Sequence, residues 1–137
     1  MTNKTEIEIN NLTKSEVDKI FLKKLAQKTL SLTKFRVPQI SLVFVSDAKM
    51  KALNKKYKKS NRITDILAFD YGEIIICLPQ ARRQAKLLQH SLKKEIGILL
   101  IHGILHLKGY NDAKKSECAK MIKKQEEIWQ KITSSLV

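Results

Sequence analysis

The sequence predicts an α+β fold: a small mixed β-sheet of about four strands covered by about five helices. Three observations predict it. Short β-branched runs and stretches of helical period follow one another in the order β-α-β-α-β-β-α-α-α. One stretch, Ile96–Leu107, is apolar on every side and must lie at the centre of a layered structure. The chain has 137 residues, 43% of them apolar, which suits a single domain over residues 1–137 with a core that needs no disulfide or metal staple.

Each element has its own signal. Thr5–Asn10 alternates polar and apolar residues, with Ile7 and Ile9 inward, and reads as a strand. Thr13-Lys-Ser-Glu16 has the form of a capping box and opens a helix with the stripe Val17, Ile20, Phe21, Leu25 and Leu32. Ile40–Val45, after Pro38, is a nearly continuous β-branched and aromatic run, as in a buried strand. Ser46 can cap a second helix carrying Met50, Leu53, Asn54 and Tyr57 on one face, and Lys55–Arg62 reads as a basic loop. Asp65–Phe69 and Glu73–Leu78 form two strands joined by a tight turn at Asp70-Tyr71-Gly72. Pro79 suits the first turn of a helix running to about Gln89. Ser91 caps the next helix, which ends at Lys108 before Gly109. The last helix, Lys114–Lys131, carries Cys118, Met121, Ile122, Gln125 and Trp129 on one face.

Composition excludes several classes. Four Gly and two Pro rule out a collagen-like chain, and the apolar content rules out disorder throughout. No apolar run approaches the roughly 20 residues of a membrane span, and the first ten residues lack the apolar core of a secretory signal. Two cysteines 41 positions apart, Cys77 and Cys118, have no metal-like spacing and point to a reducing, cytoplasmic setting. Twenty-seven Lys and Arg against thirteen Asp and Glu give a formal charge of +14, which favours an anionic partner, nucleic acid before membrane surface.

The apolar helix carries the candidate chemistry. His102 and His106 lie about 40° apart around its axis and about 6 Å apart along it, so both project from one face. A buried imidazole needs hydrogen-bond partners or a metal, and two at this spacing can supply two ligands of a tetrahedral site. Gly109 ends the helix three positions later, and Asp112 follows at the distance at which metzincin helices close their third ligand. The pattern predicts a metal site at the end of the buried central helix, built from His102, His106 and Asp112. The bland alternative is a pair of core histidines donating to backbone carbonyls. A peptidase of the metzincin type would need Glu directly after the first histidine, where this chain has Gly103.

His102-Gly-Ile-Leu-His106-Leu-Lys-Gly-Tyr-Asn-Asp112 resembles the signature H-G-x-L-H-L-x-G-Y-D-H of the YbeY family, bacterial metal-dependent endoribonucleases of rRNA maturation. The segment from Leu53-Asn54 through Tyr57 to Thr64-Asp65-Ile-Leu-Ala-Phe69 is similar to its L-N-x-x-Y-R…T-D-V-L-S-F segment. Gly72-Glu-Ile-Ile-Ile-Cys77 resembles its G-D-I-x-I-C strand, and His90, Ser91 and Glu95 stand at its H-S and E positions. The resemblance spans Leu53 to Asp112. It implies one divalent metal ion, zinc first, held by His102, His106 and Asp112. It implies rRNA and the ribosomal small subunit as partners, processing of the 16S rRNA 3′ end, a role in ribosome quality control and a bacterial cytoplasmic setting. No membrane partner and no small-molecule cofactor is expected.

The chain departs from the family at three positions. Asp112 replaces the usual third His, Asn111 the usual Asp, and Lys58 a characteristic Arg thought to engage the RNA backbone. Lys58 keeps the charge but not the bidentate fork, and Arg62 is near enough in sequence to compensate. Arg82, Arg83, Lys86, Lys93, Lys94 and Lys108 are further candidates to track an RNA backbone. Two other readings of the same residues are a different zinc hydrolase, such as a peptidase, and a non-catalytic ribosome-associated RNA-binding module with a structural metal.

Overall fold

The computed structural model describes residues 5–58, 64–110 and 115–136; the side chains of Lys58, Ser135 and Leu136 lie outside that description. Among the described residues the chain forms four strands and five helices. In order these are β1 (Glu6–Asn11), α1 (Lys19–Thr33), β2 (Gln39–Val45), α2 (Asp47–Lys58), β3 (Ile66–Phe69), β4 (Glu73–Cys77), α3 (Leu78–Leu88), α4 (Leu92–Lys108) and α5 (Lys115–Leu136). The strands make one mixed sheet in the order β1-β2-β4-β3. β1 and β4 both pair parallel with β2, and β3 closes the edge antiparallel to β4.

The sheet divides the core. Ile40, Leu42 and Phe44 of β2 and Ile74 and Ile76 of β4 point to the side covered by α1, α4 and α5. Val45, Leu67, Ile75 and Cys77 point to the other side, where Met50 of α2 closes a smaller cluster. This follows from the two-residue period of a strand. It also explains the unbroken run Ile74-Ile-Ile-Cys77: β4 is an interior strand, buried on both faces.

α4 is the central helix. It packs against α1, α3, α5 and the sheet, and Ile96–Ile101 and Gly103–Leu105 are buried. The expected boundaries hold. Ser91 Oγ accepts from the Lys94 amide, and Gly109 takes φ +114° at the C-terminus. Gly97 lets α5 approach: a Cβ there would run into the Trp129 ring and come within 3.1 Å of Leu25 Cδ2. Trp129 is half-buried and meets Phe21 edge-on at 6.0 Å, which makes it a packing residue.

Several sequence expectations are corrected. The first helix begins at Lys19, not at the Thr13 capping box. Asn11 Oδ1 accepts from both the amide and the hydroxyl of Thr13, which holds residues 11–15 in a turn. Asp18 caps instead, accepting from the Phe21 amide at 3.1 Å. The buried face of α1 is Leu22, Leu25, Ala26, Thr29, Leu30 and Thr33, and Ile20 is 72% exposed. Lys55–Lys58 continue α2 and do not form a loop. On α5 the buried positions are Met121, Ile128 and Ile132, with Ile122 exposed and Cys118 half-buried.

Gly97→Ala should test this packing. Removing glycine from a helix interior gains up to about 1 kcal/mol of propensity, but overpacking costs about 1–3 kcal/mol. The expected result of urea denaturation is a net loss of roughly 1–2 kcal/mol; a gain in stability would contradict the Trp129 contact.

Candidate functional site at the end of the central helix

α4 presents both histidines near its C-terminus. The rings of His102 and His106 are half-buried, with centroids 4.7 Å apart and planes at 69°. α5 supplies a partner that spacing alone could not reveal: His102 Nδ1 lies 2.9 Å from Gln125 Oε1. An amide oxygen only accepts, so Nδ1–H is the donor here, and in the neutral ring Nε2 is then the unprotonated nitrogen. This is the tautomer in which an imidazole can ligate a metal while its other nitrogen is held by a neighbour.

The chain reverses directly after the pair. The amide of Gly109 donates to the His106 carbonyl and that of Tyr110 to the Leu105 carbonyl, both at 3.0 Å. These are the two hydrogen bonds of a Schellman motif, and the positive φ explains the glycine. The carbonyl end of a helix is the negative end of its dipole, so a cation near His106 is favoured electrostatically. Two imidazoles at that end of a buried helix, one of them oriented by Gln125, are donors that suit a borderline-soft divalent ion such as zinc. Asp112, the expected third ligand, and Asn111 lie outside the described residues, as does Arg62; of Lys58 only the backbone, at the end of α2, is described. Among the described residues no three His, Cys, Asp or Glu converge on a metal position.

Gly103 faces the sheet. A Cβ there would come within 3.0 Å of Ile74 Cγ2 and Cδ1 and 3.2 Å of Ile66 Cδ1. The position where a metzincin carries its general base is thus filled by the core, and a glutamate could not be accommodated there.

At the opposite end of α4 a buried polar network ties three elements together. Glu95 is only 3% exposed and accepts from Gln84 Nε2 at 2.8 Å, with His90 Nε2 2.7 Å from its other oxygen. The same Gln84 amide donates to Asp65 Oδ2 at 3.1 Å, which anchors the start of β3 to α3 and α4. Its partners come from different elements, α3, the loop after it, α4 and the residue before β3, so their meeting depends on how those elements pack. It lies about 10 Å along the helix from His102, too far to touch it.

The candidate basic track is largely engaged within the chain. Arg83 makes a two-pronged pair with Asp47 at 2.8 and 3.0 Å. Arg82 donates to Ser15 Oγ, Lys93 pairs with Asp18 and Lys94 with Glu126, and Lys108 Nζ donates to the Thr33 carbonyl. Lys86 is exposed in the last turn of α3. The Arg83 guanidinium holds the Asp47 carboxyl below its ordinary range. Cys77 is fully buried and donates to Asp47; burial first, and then that carboxylate, push its thiol up to about 11, so it stays protonated near neutrality.

The class defined by this geometry is an α+β domain with a paired-imidazole helix terminus. The sequence model of the family described as endoribonuclease YbeY matches residues 3–133, and the chain belongs to that family. It is 34% identical to the endoribonuclease YbeY of a Sulfurihydrogenibium species, over 98% of this chain and 97% of that one. It is 43% identical to that of Phytoplasma australiense, over 69% of this chain and 74% of the relative. The solution structure of TM1509 from Thermotoga maritima is similar, with a TM-score of 0.64 and 29% identity over 94% of this chain and 93% of that one.

The Gln125 contact makes a prediction that is independent of metal. In metal-free protein, ¹⁵N chemical shifts should place the His102 proton on Nδ1, and Gln125→Leu should give a mixture of the two tautomers. An unchanged tautomer in the variant would remove Gln125 as the residue that sets it.

Proposed function

We propose that this chain is a metal-dependent endoribonuclease that cuts single-stranded rRNA during maturation, at the 16S rRNA 3′ end, and takes part in ribosome quality control. The observation that carries the reading is the Gln125-oriented His102 beside His106, followed by the chain reversal at Gly109. The match to the endoribonuclease YbeY family supports it along nearly the whole chain. Its setting is the bacterial cytoplasm, with the ribosomal small subunit as partner.

His102, His106 and Asp112 would hold one divalent ion, zinc first. When bound, that ion supplies Lewis acidity toward water or a phosphoryl oxygen. The protein's own residues do the rest. Gln125 fixes His102 with its lone pair available, and the helix-terminal carbonyls favour positive charge. Lys58 and Arg62 would hold the scissile phosphate and offset charge that develops in the transition state. Cleavage products bearing a 2′,3′-cyclic phosphate would mark attack by the neighbouring 2′-hydroxyl; their absence would mark hydrolysis.

Substitutions at the departures from the family pattern test these roles. Under single-turnover conditions Lys58→Ala should slow cleavage about a hundredfold or more, the effect of losing a transition-state charge contact. Lys58→Arg should keep or raise the rate, because a guanidinium binds phosphate with two donors. Wild-type rates in both would return residue 58 to an ordinary solvated charge.

The ligand set is tested by zinc competition with a chromophoric chelator. Asp112→His should tighten binding, and Gln125→Leu should weaken it by about 10–100-fold. Equal or looser binding by Asp112→His would count against Asp112 as a ligand.

A further inference from the structure

Two of the chain's three tyrosines stand away from the histidine pair, on the other side of the sheet. Tyr57 of α2 meets Phe69 of β3 edge-on at 5.1 Å, and Phe69 stacks on Tyr71 of the following turn at 5.6 Å with planes 16° apart. Phe69 roots this ladder in the smaller core beneath α2. The outer rings stay in water: Tyr57 is 51% exposed and Tyr71 69%. Tyr71 is held in place, because its hydroxyl donates to Glu73 Oε1 at 3.0 Å and Phe69 covers one ring face. Rings that bury so little of themselves contribute little to the core, yet they are fixed and open to a ligand.

The surroundings say what kind of ligand. α2 carries Lys49, Lys51, Lys55, Lys56 and Lys58 against one carboxylate, Asp47, which Arg83 occupies. Lys51, Lys55 and Lys56 are exposed, and Lys56 Nζ lies 5.2 Å from the Tyr57 ring centroid. Asp70 and Glu73 flank Tyr71 itself, so an anionic backbone is steered away from the turn and toward α2. Flat rings beside a lysine-rich helix match a single strand whose bases stack while its phosphates follow the charge. A protein partner would instead have to desolvate those ammonium groups.

We propose that Tyr57, Phe69 and Tyr71 form a base-stacking step for single-stranded RNA, with the flanking phosphates along Lys51, Lys55 and Lys56 of α2. This rests on the reading above that RNA is the substrate. The step would hold nucleotides away from the scissile phosphate, because Phe69 is rooted in the cluster on one face of the sheet while α4, which carries the imidazoles, packs on the other.

The probe is a ten-nucleotide single-stranded RNA containing 2-aminopurine, titrated into the full chain with chelator present to prevent cleavage. Tyr71→Ala and Tyr57→Ala should each weaken binding about tenfold, with less quenching of the 2-aminopurine. Tyr71→Phe should bind like the wild type, and thermal melts should show all variants folded. The salt slope should be unchanged in the tyrosine variants, whereas Lys55→Ala with Lys56→Ala should flatten it by about one unit. In cleavage, Tyr71→Ala should raise KM about tenfold and leave kcat within about twofold. Cleavage by the wild type with unchanged Kd and KM in both alanine variants would overturn the stacking step alone and leave the patch as a protein-docking surface. Failure of the wild type to bind the oligonucleotide would overturn both this step and the proposed substrate.

Discussion

Burial of α4 from Glu95 to Leu105, with His102 alone half-exposed in that span, is the constraint from which the rest follows. Leu100, Ile101, Ile104 and Leu105 are fully buried, and each such side chain is worth about 1.5–3 kcal/mol of hydrophobic stabilisation. A helix enclosed in this way cannot leave its polar side chains to water. Each must find a partner among the neighbouring elements. Glu95 finds Gln84 and His90 at one end, and His102 finds Gln125 at the other. The packing that stabilises the helix therefore also orients the His102 imidazole, and α5, packed against Gly97, delivers the amide that does so.

How much of this was legible in the sequence depended on whether the signal was local. The ends of α4 were readable because Ser91 and Gly109 act through their own neighbours. That His102 and His106 share one face was readable because i and i+4 lie together wherever the helix goes. The start of α1 was not, because two capping signals competed. Asn11 captured Thr13 in a turn, and Asp18 became the cap. Ile20 stands two positions before Leu22, about 200° around the helix, and so falls opposite the buried stripe. Gln125 stood on the expected face of α5, but that its amide meets His102 depends on how two helices pack, which no spacing rule contains. The Glu95 network was hidden for the same reason.

Charge was the least informative local signal. A net +14 suggests an anionic partner, yet Arg82, Arg83, Lys93, Lys94 and Lys108 are tied to groups of the chain itself. Exposed ion pairs add little stability, about 0–1 kcal/mol each; the carboxylates of Asp47, Asp18 and Glu126 offset the charge of Arg83, Lys93 and Lys94, whereas Arg82 and Lys108, bonded to neutral oxygens, keep theirs. The lysines of α2 form a denser stretch, next to the two exposed tyrosines. The distribution of positive charge, and not its total, separates a surface suited to RNA from an ordinary basic exterior.

The imidazole terminus of α4 is proposed to be a metal centre on which RNA cleavage depends. Its most direct test is a zinc titration of chelator-stripped protein, following cleavage of single-stranded RNA under single-turnover conditions. The account predicts no cleavage in the stripped protein, recovery that saturates at about one equivalent of zinc, and none in His102→Ala at the same zinc concentration. Cleavage that survives complete removal of metal, or is restored equally in His102→Ala, would contradict it.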